Sequence, residues 1–460
     1  MLNRLNYDDT IAAISTPIGI GGIGIVRLSG QDAIKLADKI FVSKNGKKLA
    51  QLASHKVCFG KIIDDDKIID EALVTLMRAP KTYTKEDIVE INCHGGIIVT
   101  KEILNLLTKC GARLAEPGEF TMRAFLNGRI DLVQAEAILD IIEAKTKDAL
   151  DLSLNNLRGS LSKKINTISK NLFELLTNLE AEINFPEEND VKGRKQNNTF
   201  KKIDAIFKDV LKLVNTFDCG RIIKEGVKTV ICGKANVGKS SLLNALLEKN
   251  RSIVSEIPGT TRDTIEETVN FDGVLLKITD TAGLIKPKDK IEEEALKRSK
   301  EAIKEADIVF LVVDGSRQIS KEDLFFIELL KDKQFILVIN KNDLPKKVDL
   351  SVLKLDYQVS ISALKKKNLG RLKKIVKDLV FSDKIVCNEE VIVTNIRQAQ
   401  ALRDGLVYLE NAFKSAKENL SLEFIAQDLK DALNKIDSIT GKDSNSEILN
   451  NIFSKFCIGK

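Results

Sequence analysis

The segment GKANVGKS, residues 233–240, matches the pattern G-x-x-x-x-G-K-[ST], which is typical of loops that bind nucleotide phosphates. Its glycines allow the backbone N–H groups to wrap a phosphate chain, Lys239 can reach the outer phosphates, and the hydroxyl of Ser240 can bind Mg²⁺. The helix that follows would direct its positive N-terminus at the anion. Because such a pattern arises by chance in about one or two chains of this length per hundred, it needs support from other residues.

Further motifs supply the remaining parts of a guanine-nucleotide site. Asp280 can hold Mg²⁺ through water, and the N–H of Gly283 can sense a γ-phosphate. Asp343 can accept both N–H groups of guanine, which adenine cannot offer, and Thr261 could complete the Mg²⁺ shell. In chain order the motifs are GTTRD (259–263), DTAG (280–283), NKND (340–343) and SISAL (360–364). Together with the phosphate loop they predict a GTPase domain.

The residue that orients the attacking water is not the usual one. Leu284 directly follows the DTAG motif, where Ras-type enzymes have a glutamine. A carboxylate could take over this task, and chemistry alone leaves Glu292, Glu293 and Glu294 equally eligible. Inside the phosphate loop, the side-chain carbonyl of Asn236 could bind a monovalent cation, which would supply the charge that an arginine finger supplies elsewhere.

The elements that must position these residues are short apolar strands. Four runs rich in β-branched residues are separated by helix-length segments, which predicts buried parallel strands in an α/β sheet. The runs are VKTVICG, VLLKITD, IVFLVVD and FILVIN. They place a GTPase domain at residues 223–381.

The flanks of this domain predict two other folds. Apolar residues recur at helical spacing in residues 123–222 and 382–460, with an inter-helix loop expected at 184–198. Residues 1–122 alternate apolar strands with glycine turns and predict an α+β domain. The predicted fold class is therefore multidomain α/β: an α+β N-terminal domain, and an all-α helical domain interrupted by an inserted Ras-like P-loop GTPase domain.

Composition limits the class of protein. A chain of 460 residues with 43% hydrophobic and 30% charged residues is ordinary folded protein of about three domains. No apolar run approaches the ~20 residues needed to span a bilayer, and the N-terminus has no signal-peptide core, which predicts a cytoplasmic protein. The net charge of +6 is too mild to indicate nucleic acid, and two histidines supply metal catalysis poorly.

Segments from one end of the chain to the other resemble the MnmE family, also called TrmE, of tRNA modification GTPases. The terminal FCIGK and the block PGEFTMRAFLNGRIDLVQAEA are not shared with GTPases in general. The other segments that carry the resemblance are TPIGIGGIGIVRLSG, EDIVEINCHGG, GKANVGKSSLLNAL, GTTRD and DTAGL.

The resemblance implies a folate-binding, aminomethyltransferase-like fold for residues 1–122, which would also form a homodimer. A one-carbon carrier, 5,10-methylene-tetrahydrofolate or 5-formyl-tetrahydrofolate, would be held by Arg27, Glu90, Arg129 and Lys460. Arginine and lysine suit the glutamate tail of the folate, and a carboxylate suits the N–H donors of its pterin. The implied partner is the FAD protein MnmG, or GidA, in a heterotetramer. The pair would install an aminomethyl or carboxymethylaminomethyl group at carbon five of the wobble uridine in certain tRNAs.

The resemblance also implies potassium-dependent GTP hydrolysis, activated when two G domains meet. It assigns K⁺ to Asn236, Ser255, Thr260 and the backbone carbonyl of Ile257, and it selects Glu292 as the catalytic residue that orients water. Ser240 and Thr261 would bind Mg²⁺. The implied GTP-binding residues are Asn236, Val237, Gly238, Lys239, Ser240, Ser241, Ser255, Thr260, Thr261, Asp280, Gly283, Asn340, Lys341, Asp343, Ser362 and Ala363.

Cys457 lies three residues from the C-terminal Lys460 and has three interpretations. The prenylation pattern C-a-a-X fits Gly459 and Lys460 poorly. A nucleophile could be helped by Lys460, because a nearby ammonium increases the thiolate fraction of a cysteine. The packing interpretation is weakened by the resemblance, which places this tail beside the folate site. Cys457 is therefore predicted to be a catalytic residue whose chemical step is unassigned.

Two alternatives stay open. The chain could be a ribosome-assembly switch of the Era or EngA kind, although the sequence has neither a KH-type G-x-x-G element nor a second GTPase domain. Alternatively, GTP hydrolysis could act only as a switch while the FAD partner carries out all of the one-carbon and redox chemistry.

Overall fold

The computed structural model describes residues 9–185, 192–250, 266–271, 273–280, 301–348, 355–382, 390–418, 420–442 and 446–460. The chain divides into two compact units. The first contains residues 1–139, 156–200 and 407–460, and the second contains residues 140–155 and 201–406. Each unit is therefore built from separate stretches of sequence.

Strands and helices are named in chain order. The strands of the described residues are β1 (Ile11–Ile14), β2 (Gly21–Ser29), β3 (Phe41–Ser43), β4 (Lys56–Asp64), β5 (Lys67–Met77), β6 (Ile88–Gly95), β7 (Arg113–Leu114), β8 (Val227–Cys232), β9 (Glu266–Phe271), β10 (Val274–Asp280), β11 (Ile308–Asp314), β12 (Phe335–Asn340) and β13 (Gln358–Ser360). Their main helices are α1 (Ala33–Ile40), α2 (Ile97–Lys109), α3 (Glu119–Leu126), α4 (Leu132–Glu143), α5 (Lys147–Leu157), α6 (Ser160–Asn184), α7 (Lys192–Asn215), α8 (Phe217–Glu225), α9 (Lys239–Asn250), α10 (Lys321–Leu329), α11 (Leu369–Ser382), α12 (Ile396–Lys417), α13 (Leu422–Thr440) and α14 (Ser446–Phe453).

A seven-stranded sheet forms the N-terminal part of the first unit, in the order β3-β4-β5-β6-β2-β1-β7. Neighbouring strands are antiparallel except β1 and β7, which are parallel. Alternate residues of β2, such as Val26 and Leu28, are buried in a core that also contains residues of α1 and α2. The intervening Arg27 faces the other side of the sheet, as does Glu90 on β6. The predicted α+β fold is confirmed.

A buried cluster of charges fixes α3 in this unit. The side chain of Arg123 is 2% exposed and pairs with Asp9 at 2.5 Å, Glu119 at 3.0 Å and Glu86 at 3.3 Å. Arg113 pairs with Asp9 and Glu119 as well. Taking a guanidinium out of water is costly, so an arginine is stable here only because carboxylates surround it. The start of α3 is thereby held in place.

The helices confirm the predicted interrupted helical fold. Within the first unit, Ser169 of α6 donates a hydrogen bond to Asp437 of α13 at 2.6 Å, and the rings of Phe200 and Phe413 lie 4.4 Å apart. Chain from either side of the GTPase sequence therefore packs together. No helix in the described ranges combines the length and apolar character that crossing a membrane requires.

The predicted loop at 184–198 is too long. Helix α6 continues to Asn184, and α7 begins at Lys192. The stretch after 191 is polar, but the lysine, arginine and glutamine that make it polar are also good helix formers. Polarity alone therefore overestimated the length of the loop.

A six-stranded sheet forms the core of the second unit, in the order β13-β12-β11-β8-β10-β9. All neighbours are parallel except β9, which is antiparallel to β10. Both faces are covered: Phe310 lies in one apolar core and the adjacent Val309 in another. The four apolar runs are β8, β10, β11 and β12, so the prediction of buried parallel strands is confirmed. Their carboxyl ends meet at one edge, where ligands bind in such sheets.

Candidate functional site

The phosphate-loop motif connects β8 to α9 and is pressed against the ends of two neighbouring strands. Gly233 has φ of +138°, and a Cβ atom there would lie 2.3 Å from the carbonyl oxygen of Val312 on β11. Gly238 has φ of +95°, and its Cβ would lie 2.3 Å from Nδ2 of Asn340 on β12. Both the backbone conformation and the close contact require glycine at these two positions.

Several carbonyl groups of this loop accept hydrogen bonds from side chains. Nζ of Lys239 donates hydrogen bonds to the carbonyl oxygens of Gly233 at 3.0 Å and Lys234 at 2.8 Å. Nδ2 of Asn340 donates to the carbonyl of Val237 at 2.9 Å. With the carbonyls held in this way, the N–H groups at the start of α9 remain available for an anion.

The predicted guanine-binding residues come together at the ends of β12 and β13. Oδ1 of Asn340 accepts a hydrogen bond from the backbone N–H of Ala363 at 3.0 Å. The hydroxyl of Ser362 lies 2.5 Å from Oδ1 of Asp343 and donates to it. This hydrogen bond lowers the pKa of Asp343, so its carboxylate is ionised at neutral pH and can accept both N–H groups of guanine.

Two of the residues predicted to bind cations, Asn236 and Ser240, lie in the phosphate loop and the first turn of α9. Asn236 has φ of +64°, a left-handed conformation that is uncommon outside glycine, and its side chain is exposed. Its backbone carbonyl accepts a hydrogen bond from Nζ of Lys341 at 2.9 Å. Ser240 and Ser241 are exposed in the first turn of α9. The backbone of Asp280 ends β10, which pairs with β8.

Part of the predicted nucleotide site lies outside the described residues. This holds for Ser255, Ile257, Thr260, Thr261, Gly283 and Glu292, and for the side chain of Asp280. Their assignments stay predictions.

A second constellation lies on the face of the N-terminal sheet opposite the core that contains α1 and α2. Arg27 and Glu90 are directly opposite each other on β2 and β6. Nε and Nη2 of Arg27 both lie 2.8 Å from Oε1 of Glu90. Nη1 of Arg27 also donates to the carbonyl of Gly459, 432 residues further along the chain, at 3.2 Å. Arg27, one of the predicted folate residues, therefore contacts both Glu90 and the C-terminal tail.

The tail is fixed by hydrogen bonds to its backbone. The hydroxyl of Ser15 donates to the carbonyl of Gly459 at 3.2 Å, and the N–H of Phe120 donates to the carbonyl of Lys460 at 3.1 Å. The N–H of Gly118 lies 3.4 Å from the carbonyl of Cys457. The Cys457 side chain is exposed. The tail thus presents the thiol to solvent while its backbone is bound.

Aromatic residues support the two arginines of this constellation. Cζ of Arg129 lies 4.5 Å from the centroid of the Tyr83 ring, and Cζ of Arg27 lies 5.7 Å from that of Phe120. Tyr83 packs against the same small apolar cluster as Phe120, and its hydroxyl lies 2.9 Å from Oγ1 of Thr121. Cation–π contacts of this kind orient a guanidinium without neutralising it.

Sequence reasoning missed the residues that hold these groups. Ser15, Tyr83 and Phe120 are ordinary polar or aromatic residues in the sequence, and no spacing pattern marks them. Their roles arise from a chain reversal and a strand pairing that bring distant residues together.

Two family models match the chain in succession. Residues 10–129 match the model described as GTP-binding protein TrmE N-terminus, and residues 132–457 match the MnmE helical domain. A tRNA modification GTPase MnmE from Alkaliphilus oremlandii is 45% identical over 98% of this chain and 99% of its own length. The chain belongs to the MnmE family of tRNA modification GTPases. Its phosphate loop and guanine-binding motifs make it a P-loop GTPase.

Other MnmE relatives match to the same extent. The protein from Clostridioides difficile is 45% identical over 98% of the chain and 99% of its own length, and that from Thermoanaerobacter pseudethanolicus is 47% identical with the same coverage. Among solved structures, an Aquifex aeolicus Era variant bound to GDP and aluminium fluoride is 29% identical, over 40% of this chain and 66% of its own length, with a TM-score of 0.28. That score is too low to support an argument, and the MnmE assignment rests on the sequence matches.

Proposed function

We propose that this MnmE protein is a potassium-dependent GTPase that modifies carbon five of the wobble uridine in certain tRNAs. It acts in the cytoplasm as a homodimer, in a heterotetramer with an FAD-dependent partner of the MnmG, or GidA, type. A reduced folate, 5,10-methylene- or 5-formyl-tetrahydrofolate, supplies the one-carbon unit. The product carries an aminomethyl or carboxymethylaminomethyl group.

The observation that carries the proposal is the meeting of Arg27, Glu90 and the C-terminal tail. A folate has an anionic glutamate tail and a pterin ring with N–H donors, which require cations and a carboxylate. Arg27 and Glu90 supply one of each as a half-buried pair on the sheet, and Lys460 adds a second cation at the end of the tail. Arg129, stacked on Tyr83, adds a third. Cys457 is the candidate reactive group beside them.

The GTPase half of the proposal is supported by the phosphate loop and its neighbours. Ser240 and Thr261 bind Mg²⁺, which neutralises phosphate charge when it is bound. Asn236 binds K⁺ together with Ser255, Thr260 and the Ile257 carbonyl. The backbone carbonyl of Asn236 already accepts a hydrogen bond from Lys341. The exposed side chain of Asn236 is therefore the part of this residue that can turn towards a cation.

The rest of the nucleotide site follows from the same motifs and, for Glu292, from the resemblance to the MnmE family. Glu292 orients the attacking water. GTP itself is held by Val237, Gly238, Lys239, Ser241, Asp280, Gly283, Asn340, Lys341, Asp343, Ser362 and Ala363.

Nucleoside mass spectrometry of tRNA from cells lacking the gene tests the proposal. We expect the modified wobble uridine to disappear and the unmodified or partly modified nucleoside to accumulate. Unchanged wobble uridines would contradict it, and if defects in ribosomal subunits appeared instead, the Era-like alternative would be favoured.

The cation requirement is tested separately with purified protein. GTP turnover should be faster in K⁺ than in Na⁺ at equal ionic strength, because the oxygen ligands around Asn236 are expected to suit the larger ion. The control is Asn236→Ala, which should respond equally to the two salts. Equal rates for the unmodified protein would remove Asn236 from the cation site.

A further inference from the structure

One segment of chain contacts the phosphate loop and has an acidic residue at each end. It comprises residues 314–323, which run from the last residue of β11 to the first turn of α10. At its first end, Oδ2 of Asp314 lies 2.7 Å from Nζ of Lys341. The same ammonium donates to the carbonyl of Asn236 in the phosphate loop. Asp314 therefore pairs with the lysine, Lys341, that is hydrogen-bonded to the loop.

The geometry of Lys341 shows that this arrangement is specific. Its φ is +65°, a left-handed conformation that a lysine rarely adopts. The ammonium has a carbonyl on one side and a carboxylate on the other, at distances typical of charge-assisted hydrogen bonds. The Asp314 side chain is 9% exposed and that of Lys341 is 30% exposed, so the carboxylate is the better shielded partner.

At its other end the segment binds the phosphate loop directly. Nζ of Lys234 lies 2.7 Å from Oδ2 of Asp323 and 2.6 Å from the hydroxyl of Ser320. Ser320 is the N-cap of α10, and Asp323 completes a capping box by accepting a hydrogen bond from the Ser320 N–H at 2.9 Å. The Asp323 side chain is 5% exposed. Lys234 thus joins an already ordered helix terminus.

The charge of Asp323 decides whether a lysine can lie there. The N-terminus of a helix carries a partial positive charge and repels an ammonium. The negative charge of Asp323 reverses the sign of the electrostatic potential at this helix terminus. Lys234 is therefore attracted to a position that would otherwise repel it. Removing one partner of such a buried pair leaves the other uncompensated, which is strongly unfavourable.

The two contacts act at different points of the same loop. Lys341 binds the carbonyl of Asn236, while Lys234 is itself a loop residue whose carbonyl accepts from Lys239. The N–H groups of the loop can converge on a phosphate only in one backbone conformation, and both contacts favour it.

We propose that residues 314–323 form a support that fixes the phosphate loop for nucleotide binding. Asp323 acts through Lys234, and Asp314 acts through Lys341. Both aspartates are positioning residues, since they act through lysines of the site and not on the nucleotide itself. The proposal goes beyond the tRNA and folate chemistry and depends only on the GTPase activity of the chain.

A support of this kind has a kinetic signature. It orders the loop equally for GTP, GDP and the transition state. Its loss should therefore weaken the binding of all three by the same amount. KM for GTP and the dissociation rate of GDP should rise together while kcat stays nearly constant.

The test uses the full-length protein, a fluorescent GDP analogue and steady-state GTP turnover. Lys234→Met and Asp323→Asn should each raise the dissociation rate and KM about tenfold, with kcat within about twofold of the unmodified value. Asp314→Asn should behave in the same way. Lys234→Arg keeps the charge and should remain within about twofold throughout. The double variant of Lys234→Met and Asp323→Asn should be no worse than either single one, because both remove the same contact.

A matched control is present on the same helix. Glu328 lies in the last turn of α10, 3.0 Å from Lys331 just beyond the end of the helix, and both side chains are exposed. Lys331→Met removes a lysine–carboxylate pair of the same chemistry away from the phosphate loop. It should leave nucleotide dissociation unchanged.

Thermal unfolding separates support of the site from general stability. Should Asp323→Asn unfold because it also removes the capping box, Lys234→Met decides, since it leaves Ser320 and Asp323 intact. A folded Lys234→Met protein with unchanged GDP dissociation would overturn the proposal. A fall in kcat with unchanged KM would overturn it as well.

Discussion

Arg27 and Glu90 make the most direct prediction at the scale of single residues. Glu90→Gln keeps the size of the side chain but removes the charge that binds Arg27 and that would accept the pterin N–H groups. We expect folate affinity to fall at least about tenfold, since a charged hydrogen bond is lost. Isothermal titration with 5-formyl-tetrahydrofolate measures it.

The control for this change is Glu71→Gln, which alters an exposed carboxylate on β5 of the same sheet. It should bind folate normally. GTP turnover should be unaffected in both variants. If Glu90→Gln bound folate as tightly as the unmodified protein, Glu90 would have no part in the site.

At this scale the sequence predicts residues whose chemistry depends on a local pattern. Gly233, Gly238 and Lys239 follow from one short motif, and the structure places them in the loop between β8 and α9 and at the start of that helix. Asp314 and Lys234 could not be predicted in the same way. Asp314 ends an apolar strand, as many other acidic residues do, and Lys234 occupies a variable position of the motif, so only their contacts identify them.

The C-terminal tail makes a prediction at the scale of elements. Gly459 has φ of +91°, and a Cβ atom there would lie 2.5 Å from the carbonyl oxygen of Ile14 on β1. Gly459→Ala should therefore displace the tail from the sheet, together with the carbonyl that Arg27 and Ser15 bind. We expect folate affinity to fall about tenfold or more while GTP turnover is retained. Titration with folate and turnover assays check both results.

Gly46→Ala separates displacement of the tail from backbone strain. Gly46 also has a left-handed φ, +71°, but a Cβ atom there meets nothing within 4 Å. Both variants carry the same strain of about 1–2 kcal/mol, and only Gly459→Ala carries the collision. Equal folate affinities in the two variants would show that the tail does not form part of the site.

The elements themselves were predictable to different degrees. The buried parallel strands were recognised because continuous β-branched runs mark strands that are covered on both faces. The start of α7 was not, because lysine-rich sequence suits a helix as well as a loop. The antiparallel edge strand β9 has alternating polar residues and gave no comparable signal.

At the scale of the whole molecule, the order of the sequence differs from the order in space. The first unit brings residues near 15, 27 and 120 together with residues 457–460. No local pattern predicts this meeting, because it depends on how the helical chain returns after the GTPase sequence. The resemblance to MnmE implied it, and the hydrogen bonds to the Gly459 carbonyl support it physically.

The central claim is that the nucleotide site and the folate-side tail serve one tRNA reaction. Cells lacking the gene can be complemented with the wild-type gene, with the Cys457→Ser or Asp343→Asn variant, or with the control variant Gly46→Ala. Cys457→Ser removes the exposed thiol of the tail, and Asp343→Asn removes the carboxylate that we propose recognises guanine.

Quantifying the modified wobble uridine by nucleoside mass spectrometry is the most direct measurement. The wild-type gene and the Gly46→Ala variant should restore the modified nucleoside, whereas the Cys457→Ser and Asp343→Asn variants should not. Purified Cys457→Ser should still hydrolyse GTP at the unmodified rate, which separates the two sites. Full restoration by Cys457→Ser and Asp343→Asn would contradict the claim.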